Sequence, residues 1–504
     1  MNSASPQKLI LLGLTTLAVT ASVAVLLAGP AVACGCFSPP VPPPDGLADF
    51  AVNQQSEQII FEVPGDGTIT AHVLIKYEGA PEQFAWLVPV PSVPVLALSE
   101  TLAFAIIDQE TAPQIRRDDR DICPDPEFIC RYHPQPNCND DDVTVQDAQS
   151  SGDSASQDTV GGGPLPGGVQ VIQSQIVGDY ETVVFSADDA MGTVSWLQDN
   201  GFIVNDTMTP FMQPYLDAGM LFIAAKLVPG AEVSAIRPLK MTYIHPRPII
   251  PLKLTAVAAE PHLTVTSYIF ADKAYRPMGH PMATIEPGRL TYVGSRSNYP
   301  MVLARTIDEA GGDAFVAEFG GAPPVWLRAS DDACNPGGDA SFPQIENDGI
   351  CQCPRSDFDA LDCAEDQPGL LEALALLDDL NKRFPKLTRL TTRLSAEEMT
   401  FDAEFEPTTN TMPTGPLRLD APAFDLGGCV ANIVDTATHT AIVSEIPCAT
   451  LYCGAGSCVT TALGAGCRCD AGQVARTFRD LDGLPSVTCQ PRQALVDLGA
   501  DIEL

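Results

Sequence analysis

Basic residues are scarce in this chain. Its 504 residues include 28 lysines and arginines against 64 aspartates and glutamates, which gives a formal net charge of −36. A surface of this charge repels phosphate backbones and anionic headgroups, so the composition argues against nucleic acid as a partner and against membrane binding through a basic patch. Acidity also keeps an exported protein soluble, and we prefer this explanation to a specific cationic partner.

The sequence also lacks the patterns of the common catalytic and metal sites. No C-x-x-C occurs, and the six histidines include no H-x-x-x-H pair, so the usual zinc motifs are missing. No G-x-S-x-G elbow, Walker motif or dinucleotide-binding glycine pattern is present. His280 and Arg276 are candidates for lining a pocket, but a single loop histidine is more often a hydrogen-bonded structural residue. We therefore predict no catalytic residue, no metal ligand and no cofactor.

Charge is almost absent from the N-terminal stretch, where Lys8 is the only charged side chain in the first 44 residues. The residues that follow it are mostly apolar, Pro30 ends any helix, and the A-V-A sequence before Cys34 has small side chains that suit a signal peptidase. We predict a signal peptide over residues 1–33 that is cleaved between Ala33 and Cys34. The alternative is an uncleaved anchor, because an apolar run of about 20 residues also spans a bilayer.

A cysteine at the predicted new N-terminus would also suit lipidation. Bacterial lipoprotein signals usually carry leucine three residues before that cysteine, where this chain has Ala31. Lipidation of Cys34 would leave an odd number of the 16 cysteines for pairing. We keep a lipid anchor on Cys34 as the minority interpretation.

Sixteen cysteines in an exported chain indicate disulfides rather than metal ligands, and disulfides persist in oxidising compartments. We therefore expect the protein in the periplasm, on the outer surface of the cell or in the medium. Four cysteines fall in a patch rich in Asp, Gly and Pro at residues 334–363, and six fall between Cys448 and Cys489. Such segments bury little apolar surface, so they depend on covalent cross-links.

Residues 34–427 are predicted to form one large α+β domain, dominated by strands with a few packed helices. Within it, residues 139–168 are acidic and glycine-rich and are predicted to be a flexible insert. Alternating apolar residues predict a half-buried strand at 69–77, and the prolines of 84–94 confine that stretch to a sheet edge or an extended crossing. Further strands are predicted at residues 58–63, 220–228, 239–244, 249–257, 263–270 and 314–319.

Helices are predicted where apolar spacing coincides with terminal signals. The clearest has Ser186 and Asp189 as a capping box, with Met191, Val194 and Leu197 on one face. A short helix is predicted with Thr209 as its cap, Pro210 in its first turn and Gly219 at its end. Two more are predicted at residues 300–310 and from residue 370 to a point before residue 385.

A series of eight ordered segments includes EQIIFEV at 57–63, FAWLVPVPSVP at 84–94, PYLDAGMLFIAAKL at 214–227 and LTRLTTRLSAEEMTFDAEF at 387–405. Over about residues 34–410, these segments resemble a bacterial secreted family known only as domain of unknown function 2330. The resemblance implies an exported single large domain. It brings no established activity and no catalytic residue.

The six C-terminal cysteines resemble the framework of an EGF-like module, which has C-x-C at its fourth and fifth cysteines. We place the module at residues 447–490, after a connector at 428–446 and before a tail at 491–504. Gln473 stands where an aromatic residue is usual, the last loop is long, and we do not predict calcium. The resemblance implies three disulfides: Cys448–Cys458, Cys453–Cys467 and Cys469–Cys489.

These observations favour an exported, disulfide-stabilised, non-enzymatic binding or structural protein of the cell envelope or extracellular space. Its ligand is an unknown protein or carbohydrate, and this inference rests on association with the module rather than on a site. One alternative is a secreted hydrolase whose site is assembled from dispersed acidic residues and histidines. The other is a surface protein anchored through lipid on Cys34.

Overall fold

The structure is a computed structural model. It describes residues 53–78, 85–118, 168–324, 326, 369–424 and 451–492, with short breaks at 203, 205–207, 232–235, 294–295, 462–463 and 480–484. The predicted signal peptide, the insert up to residue 167, the cysteine patch at 334–363 and the connector lie outside the described residues.

The described residues contain six α-helices and three short 3₁₀-helices among 24 strands. The α-helices are α1 (Thr101–Thr111), α2 (Ala190–Asp199), α3 (Thr209–Asp217), α4 (Leu252–Thr255), α5 (Tyr299–Glu309) and α6 (Leu370–Arg383), and the 3₁₀-helices are Ala256–Ala258, Pro287–Arg289 and Ala396–Glu398. The strands of the large domain are β1 (Asn53–Val63), β2 (Thr68–Glu78), β3 (Ala85–Val90), β4 (Val95–Leu98), β5 (Gln114–Asp118), β6 (Gln170–Val177), β7 (Tyr180–Ser186), β8 (Leu221–Leu227), β9 (Leu239–Ile244), β10 (Ile249–Ile250), β11 (Ala259–Ala271), β12 (Ala274–Pro277), β13 (Met282–Ala283), β14 (Tyr292–Val293), β15 (Arg296–Ser297), β16 (Phe315–Gly321), β17 (Lys386–Leu394), β18 (Ala403–Thr408), β19 (Gly415–Pro416) and β20 (Arg418–Phe424). The C-terminal strands are β21 (Gly456–Thr461), β22 (Gly464–Cys469), β23 (Gln473–Arg479) and β24 (Pro485–Pro491).

A nine-stranded sheet forms the centre of the large domain, in the order β13-β16-β17-β11-β1-β2-β9-β4 with β19 beside β16. Strands β1 and β2 form an antiparallel hairpin, and β1 also pairs in parallel with β11. The turn of this hairpin is P-G-D-G, in which Gly65 and Gly67 have φ angles of +84° and +88° that residues with a Cβ rarely adopt. The strands predicted at 58–63 and 69–77 and the turn between them are therefore confirmed.

Both faces of this sheet are covered. On one face, Ile60 of β1 packs with Phe104 of α1 and Leu377 of α6. On the other face, Phe61 of β1 belongs to a larger core that also contains residues of a four-stranded sheet with the order β3-β8-β7-β6. The prediction that β2 is half-buried is therefore wrong: His72, on the face that was expected to be solvated, is 1 % exposed.

The proline-rich stretch at 84–94 contains an edge strand, as predicted. Strand β3 lies at the end of the four-stranded sheet and pairs with β8, with Pro89 opposite Phe222. Proline has no amide hydrogen to donate to a second neighbour, so this position suits it.

Helix α2 begins differently from the prediction. Its N-cap is Asp189, whose Oδ1 accepts a hydrogen bond of 2.7 Å from the amide of Gly192, and Ser186 is the last residue of β7. The predicted capping box is therefore wrong. Val194 is buried as predicted, whereas Met191 is 73 % exposed.

The apolar stretch at 249–257 is not the single strand that was predicted. It contains the two-residue strand β10, then α4 and a 3₁₀ turn, with Pro251 at the N-cap of α4. An apolar run that is buried on all sides has the same pattern as a strand or as a helix, so periodicity does not distinguish them. Similarly, Thr209 is the first residue of α3 rather than its cap, a position that Met208 holds.

Residues 451–492 form two antiparallel hairpins, β21–β22 and β23–β24. Disulfides join Cys453 to Cys467 and Cys469 to Cys489, and Cys458 is disulfide-bonded as well. Cys448 lies outside the described residues. The whole is a strand-rich α+β protein with a disulfide-bonded C-terminal segment, and the disulfides indicate an oxidising environment. None of the described helices has the length and apolar character needed to cross a bilayer.

Candidate functional site

The two side chains that the sequence suggested for a pocket have separate partners. His280 Nδ1 lies 3.0 Å from Asp313 Oδ2, and its ring packs on that of Phe401 at 4.1 Å. Arg276 forms an ion pair of 2.6 Å with Glu406 across β12 and β18. These contacts fix local structure and bring no reactive pair together.

Within the described residues, three places bring buried titratable groups into contact, and the first is the helix-covered face of the large sheet. His72 Nδ1 lies 2.6 Å from Ser99 Oγ, and His72 Nε2 lies 2.8 Å from Glu62 Oε1. Glu62 also contacts Arg383 of α6 at 2.6 Å and Lys240 of β9 at 3.3 Å. Burial opposes the ionised state of Glu62, but the hydrogen bonds from His72 and Arg383 hold its pKa down at about 2.

Ser99, His72 and Glu62 form a hydrogen-bonded series, and these are the residue types of a catalytic triad. A triad acts only if a substrate can reach the serine, so the exposure of these side chains decides between a catalytic and a structural role. Ser99 is 3 % exposed and His72 is 1 % exposed. A pocket lined by Ile59, Phe61 and Trp86 opens on the opposite face of β1, because alternate residues of a strand point to opposite sides. The arrangement therefore joins α6, and the residues that lead into α1, to the sheet.

The second place is an ionic network between β16 and β17. Arg389 Nε donates to Glu318 Oε2 at 2.7 Å, and the exposed fractions of the two side chains are 7 % and 1 %. Arg389 also contacts Asp108 of α1 at 2.9 Å and lies over the ring of Tyr268. Tyr299 of α5 donates to Glu318 Oε1. Each charged side chain of this network has a partner of opposite charge. Through Asp108 and Tyr299, the network attaches helices α1 and α5 to the sheet.

The third place is the end of the large sheet where β11 begins and β17 ends, and here the C-terminal segment docks. We call it the interface cluster and define it by residues that meet across the contact. On the large domain these are His262, Asp308, Glu397 and Glu398, and on the C-terminal segment they are Tyr452, Phe478, Thr488 and Gln490.

His262 is the central residue of the interface cluster. Its φ angle is +57°, which non-glycine residues rarely adopt, and its carbonyl accepts a hydrogen bond of 2.7 Å from Arg393 Nε. Its Nε2 lies 3.0 Å from Thr488 Oγ1, and its ring packs against the rings of Tyr452 and Phe478 at 5.6 and 5.8 Å. Burial and the nearby charge of Arg393 lower the pKa of His262 to about 3, so its ring is neutral.

A pair of carboxyl groups lies beside this histidine. Tyr452 donates a hydrogen bond of 2.7 Å to Asp308 Oδ2, and the Asp308 carboxyl group lies beside that of Glu398. Burial and the neighbouring Asp308 carboxylate raise the pKa of Glu398 to about 9, and burial raises the pKa of Asp308. Gln490 donates a hydrogen bond of 2.7 Å to Glu397 Oε2, next along the chain.

The interface cluster is therefore the candidate functional site. Backbone in a rarely populated region and strongly shifted pKa values are typical of functional sites. In the described ranges, no three His, Cys, Asp or Glu side chains are arranged to hold a metal ion. The chemistry available to the cluster is proton binding by its carboxyl pair.

Sequence reasoning did not find this site. One signal was present, because Ser395 and Glu398 have the spacing of a capping box, and the structure contains it. The other members lie far apart in the sequence, from His262 to Gln490, and their convergence depends on docking that no local pattern encodes.

Comparison with known proteins gives one match. Residues 30–279 match a family model described as "Uncharacterized protein conserved in bacteria (DUF2330)". This range is just under half of the chain; it includes Glu62, His72 and His262 and ends before Asp308 and the C-terminal segment. No curated protein and no solved structure matches the chain.

Proposed function

We propose that this chain is an exported, disulfide-stabilised binding protein of the bacterial cell envelope or extracellular space. The large domain is the body of the protein, and the C-terminal segment is an EGF-like module held on it in a fixed orientation. The ligand is a protein or a carbohydrate. The observation that carries this proposal is the docking of residues 451–492 through side chains of β24 and of Tyr452, which precedes β21.

Three features support the EGF-like character of the segment. Cys453–Cys467 and Cys469–Cys489 are pairs that the framework implies, and Cys458 is disulfide-bonded. The β21–β22 hairpin carries the third, fourth and fifth cysteines, and strand β24 of the second hairpin carries the sixth. Modules of this size bury too little surface to fold without cross-links.

Export is tested by the intact mass of the chain secreted from a bacterial host. We expect a product that begins at Cys34, has no free thiol and carries no lipid. The matched control is Ala33→Arg, which places a long charged side chain where the signal peptidase requires a small one and should leave the precursor uncleaved. A cytoplasmic product with most thiols free would contradict the proposal, and a mass increased by acyl chains would favour the lipid-anchored alternative.

Binding is tested with the purified exported protein on a glycan array and against envelope proteins. We expect saturable binding that is lost when the disulfides are reduced, because the module then loses the cross-links that define its surface. Binding that survives reduction would place the ligand on the large domain, and the absence of saturable binding would contradict the proposal.

The carboxyl pair favours a secreted hydrolase as a second candidate function. Two carboxyl groups that share a proton provide an acid and a base in one place, as in aspartic proteases. This candidate predicts turnover of a chromogenic peptide, ester or glycoside that both Asp308→Asn and Glu398→Gln abolish. Turnover that survives both substitutions, or no turnover on any of the three substrate classes, would exclude it.

A further inference from the structure

The C-terminal segment is held on the large domain largely through acidic side chains. Within the described residues, three hydrogen bonds between side chains cross the contact. In two of them the acceptor is a carboxyl group: Tyr452 donates to Asp308, and Gln490 donates to Glu397. The third joins Thr488 to His262. The ring of Phe478, which is 6 % exposed, covers the imidazole of His262. The stability of this contact therefore depends on the charge state of the carboxyl groups beneath it.

One proton is required at the centre of the contact. Asp308 Oδ2 accepts from Tyr452, while Asp308 Oδ1 is buried without a hydrogen-bond donor, and the Glu398 carboxyl group lies beside the Asp308 side chain. Glu398 Oε2 accepts a hydrogen bond of 2.7 Å from the amide of Ser395, so its other oxygen is the one available to Asp308. Two carboxylates have only acceptor atoms, and a hydrogen bond between them exists only when one of them is protonated.

The packing keeps the two carboxyl groups together. A Cβ built on Gly312 would lie 2.8 Å from Glu398 Oε1, so only glycine at this position leaves room for the carboxyl group. The φ angle of Gly312 is +79°, which also disfavours any other residue. Glu398 is therefore held between the Ser395 amide, which it caps, and the backbone of Gly312.

The surroundings do not neutralise a second negative charge. Glu309 lies on the same helix as Asp308, and Glu397 lies beside Glu398. Arg305 and Arg289 both face this region, but they form ion pairs of 2.9 and 2.6 Å with Glu309.

The remaining charged groups face other members of the interface cluster. Arg476 of β23 faces Glu397, and Arg393 faces the neutral His262. Within the described part of the chain, neither Asp308 nor Glu398 forms an ion pair with a lysine or arginine. Loss of the shared proton would place two adjacent carboxylates under the docked segment without a paired cation.

We propose that the C-terminal segment is a proton-controlled cover: the proton shared by Asp308 and Glu398 keeps it docked over the end of the large sheet, and loss of that proton in alkaline medium releases it. Release exposes His262 and both carboxyl groups. This inference does not depend on the ligand or on the compartment of the protein.

The direction of the pH dependence follows from proton linkage. When the segment is released, the carboxyl groups become solvated and return toward their ordinary pKa values, whereas in the docked state the pKa of Glu398 is about 9. The docked state therefore binds the extra proton between about pH 5 and pH 9. Over this range the ratio of docked to released segment falls as pH rises, by at most about ten-fold per pH unit for one proton. Above pH 9 the dependence ends.

The test is pulsed hydroxyl-radical footprinting of the full mature chain at pH 5.5, 7.0, 8.0 and 9.0, with oxidation located by mass spectrometry. Phe478 reports release, and Phe185, which is fully buried in the core of the large domain, is the internal control. We expect oxidation of Phe478 to rise at least five-fold across the range, while that of Phe185 stays constant. Constant oxidation of Phe478 in the wild-type chain would overturn the proposal.

Substitutions of an acidic side chain by its amide provide matched variants. In Glu398→Gln, the amide group donates to Asp308 at every pH while its oxygen keeps the backbone cap, so the rise in Phe478 oxidation should fall below two-fold. Asp420→Asn, at an exposed position outside the interface cluster, leaves the carboxyl pair unchanged and should behave as wild type. Asp308→Asn provides a second neutral variant if Glu398→Gln does not fold. The proposal fails if Glu398→Gln keeps the wild-type rise or if Asp420→Asn abolishes it.

Discussion

At the scale of single residues, this protein stabilises its large sheet by burying paired charges. Glu318 and Arg389 lie inside the molecule, and a third charged residue, Asp108, completes the network. Removal of a charge from water costs several kcal/mol per ion, and the cost is recovered only while the partner is present. Such pairs are therefore sensitive to the loss of one member.

The first prediction concerns Arg389→Met, which leaves Glu318 buried without its cation. We expect a loss of about 3–5 kcal/mol in the free energy of unfolding, measured by urea denaturation. The double variant Arg389→Met/Glu318→Leu should lose less than the single variant, since no charge is left unpaired. The control is Arg116→Met, because Arg116 and its partner Asp420 are 79 % and 59 % exposed, and such pairs contribute at most about 1 kcal/mol. Equal losses for Arg389→Met and Arg116→Met would contradict this explanation.

The second prediction concerns His72 and acid. Burial lowers the pKa of His72, so the folded protein keeps the ring neutral, while the unfolded chain takes up a proton below about pH 6.5. Stability therefore falls as pH falls below 6.5, and the contribution of Glu62 is lost only between about pH 4.5 and pH 2. His72→Gln should lower stability at pH 7 but reduce the further loss between pH 7 and pH 5 by about 1–2 kcal/mol. Thermal unfolding of the wild-type chain and of His72→Gln between pH 7 and pH 5 measures this difference, and equal losses in the two chains would contradict the explanation.

At the scale of elements, helix ends show how a local hydrogen bond decides where an element begins. Asp189 caps α2 through a bond to Gly192, and the adjacent Thr193 hydroxyl donates to the Asp189 carbonyl at 2.6 Å. A cap of this kind satisfies an amide that has no partner within the helix. Its loss should affect α2 more than the sheets around it.

The third prediction is that Asp189→Ala lowers the stability of α2 by about 1 kcal/mol, because the amide of Gly192 loses its acceptor. Native-state hydrogen exchange of the α2 amides should show the loss as faster exchange. Asp189→Asn, which keeps an acceptor oxygen, should retain most of the protection. Ser186→Ala tests the capping box that the sequence suggested, and we expect a change below about 0.5 kcal/mol. A larger effect from Ser186→Ala than from Asp189→Ala would contradict the observed cap.

The elements that could be predicted are those whose signals are local. The β1–β2 hairpin was recognisable from alternation and from Gly65 and Gly67, and the edge position of β3 from its prolines. The burial of β2 on both faces was not recognisable from the sequence, because the helices α1 and α6 that cover the sheet are not adjacent to β2 in the chain. The strand expected at 249–257 failed because a fully buried apolar run has no period that separates strand from helix.

The candidate site was harder to predict than the elements because it depends on contacts between residues that are far apart in the sequence. His262 lies within a strand, and nothing adjacent to it in the sequence marks a positive φ angle or a buried ring. Asp308 lies in the last turn of an amphipathic helix, and acidic residues near helix ends are usually solvated. Only the docked C-terminal segment, about 140 residues further along, gives these side chains their environment.

At the scale of the whole molecule, the C-terminal segment combines covalent and noncovalent stabilisation. Its two described disulfides meet near Cys489, whose amide donates to the Cys453 carbonyl at 3.1 Å. The contact with the large domain is formed by side chains from β23, β24 and the stretch before β21. The cross-links therefore hold together the surface that docks, and loss of a disulfide should weaken folding and docking together.

The fourth prediction follows from this coupling. In the double variant Cys469→Ser/Cys489→Ser, the unfolded state of the segment gains the freedom of the loop that this bridge closes, which corresponds to about 2–4 kcal/mol. Hydrogen exchange measured by mass spectrometry should accelerate throughout residues 451–492 and in the docking surface around His262. Peptides from β1 and β2 should keep their protection, because their hydrogen bonds lie within the large sheet. Ser457→Ala, at an exposed position of β21, is the control and should leave exchange unchanged. If β1 and β2 lost protection together with the segment, the large domain would depend on the C-terminal segment for its own folding, and the segment could not act as a separable cover.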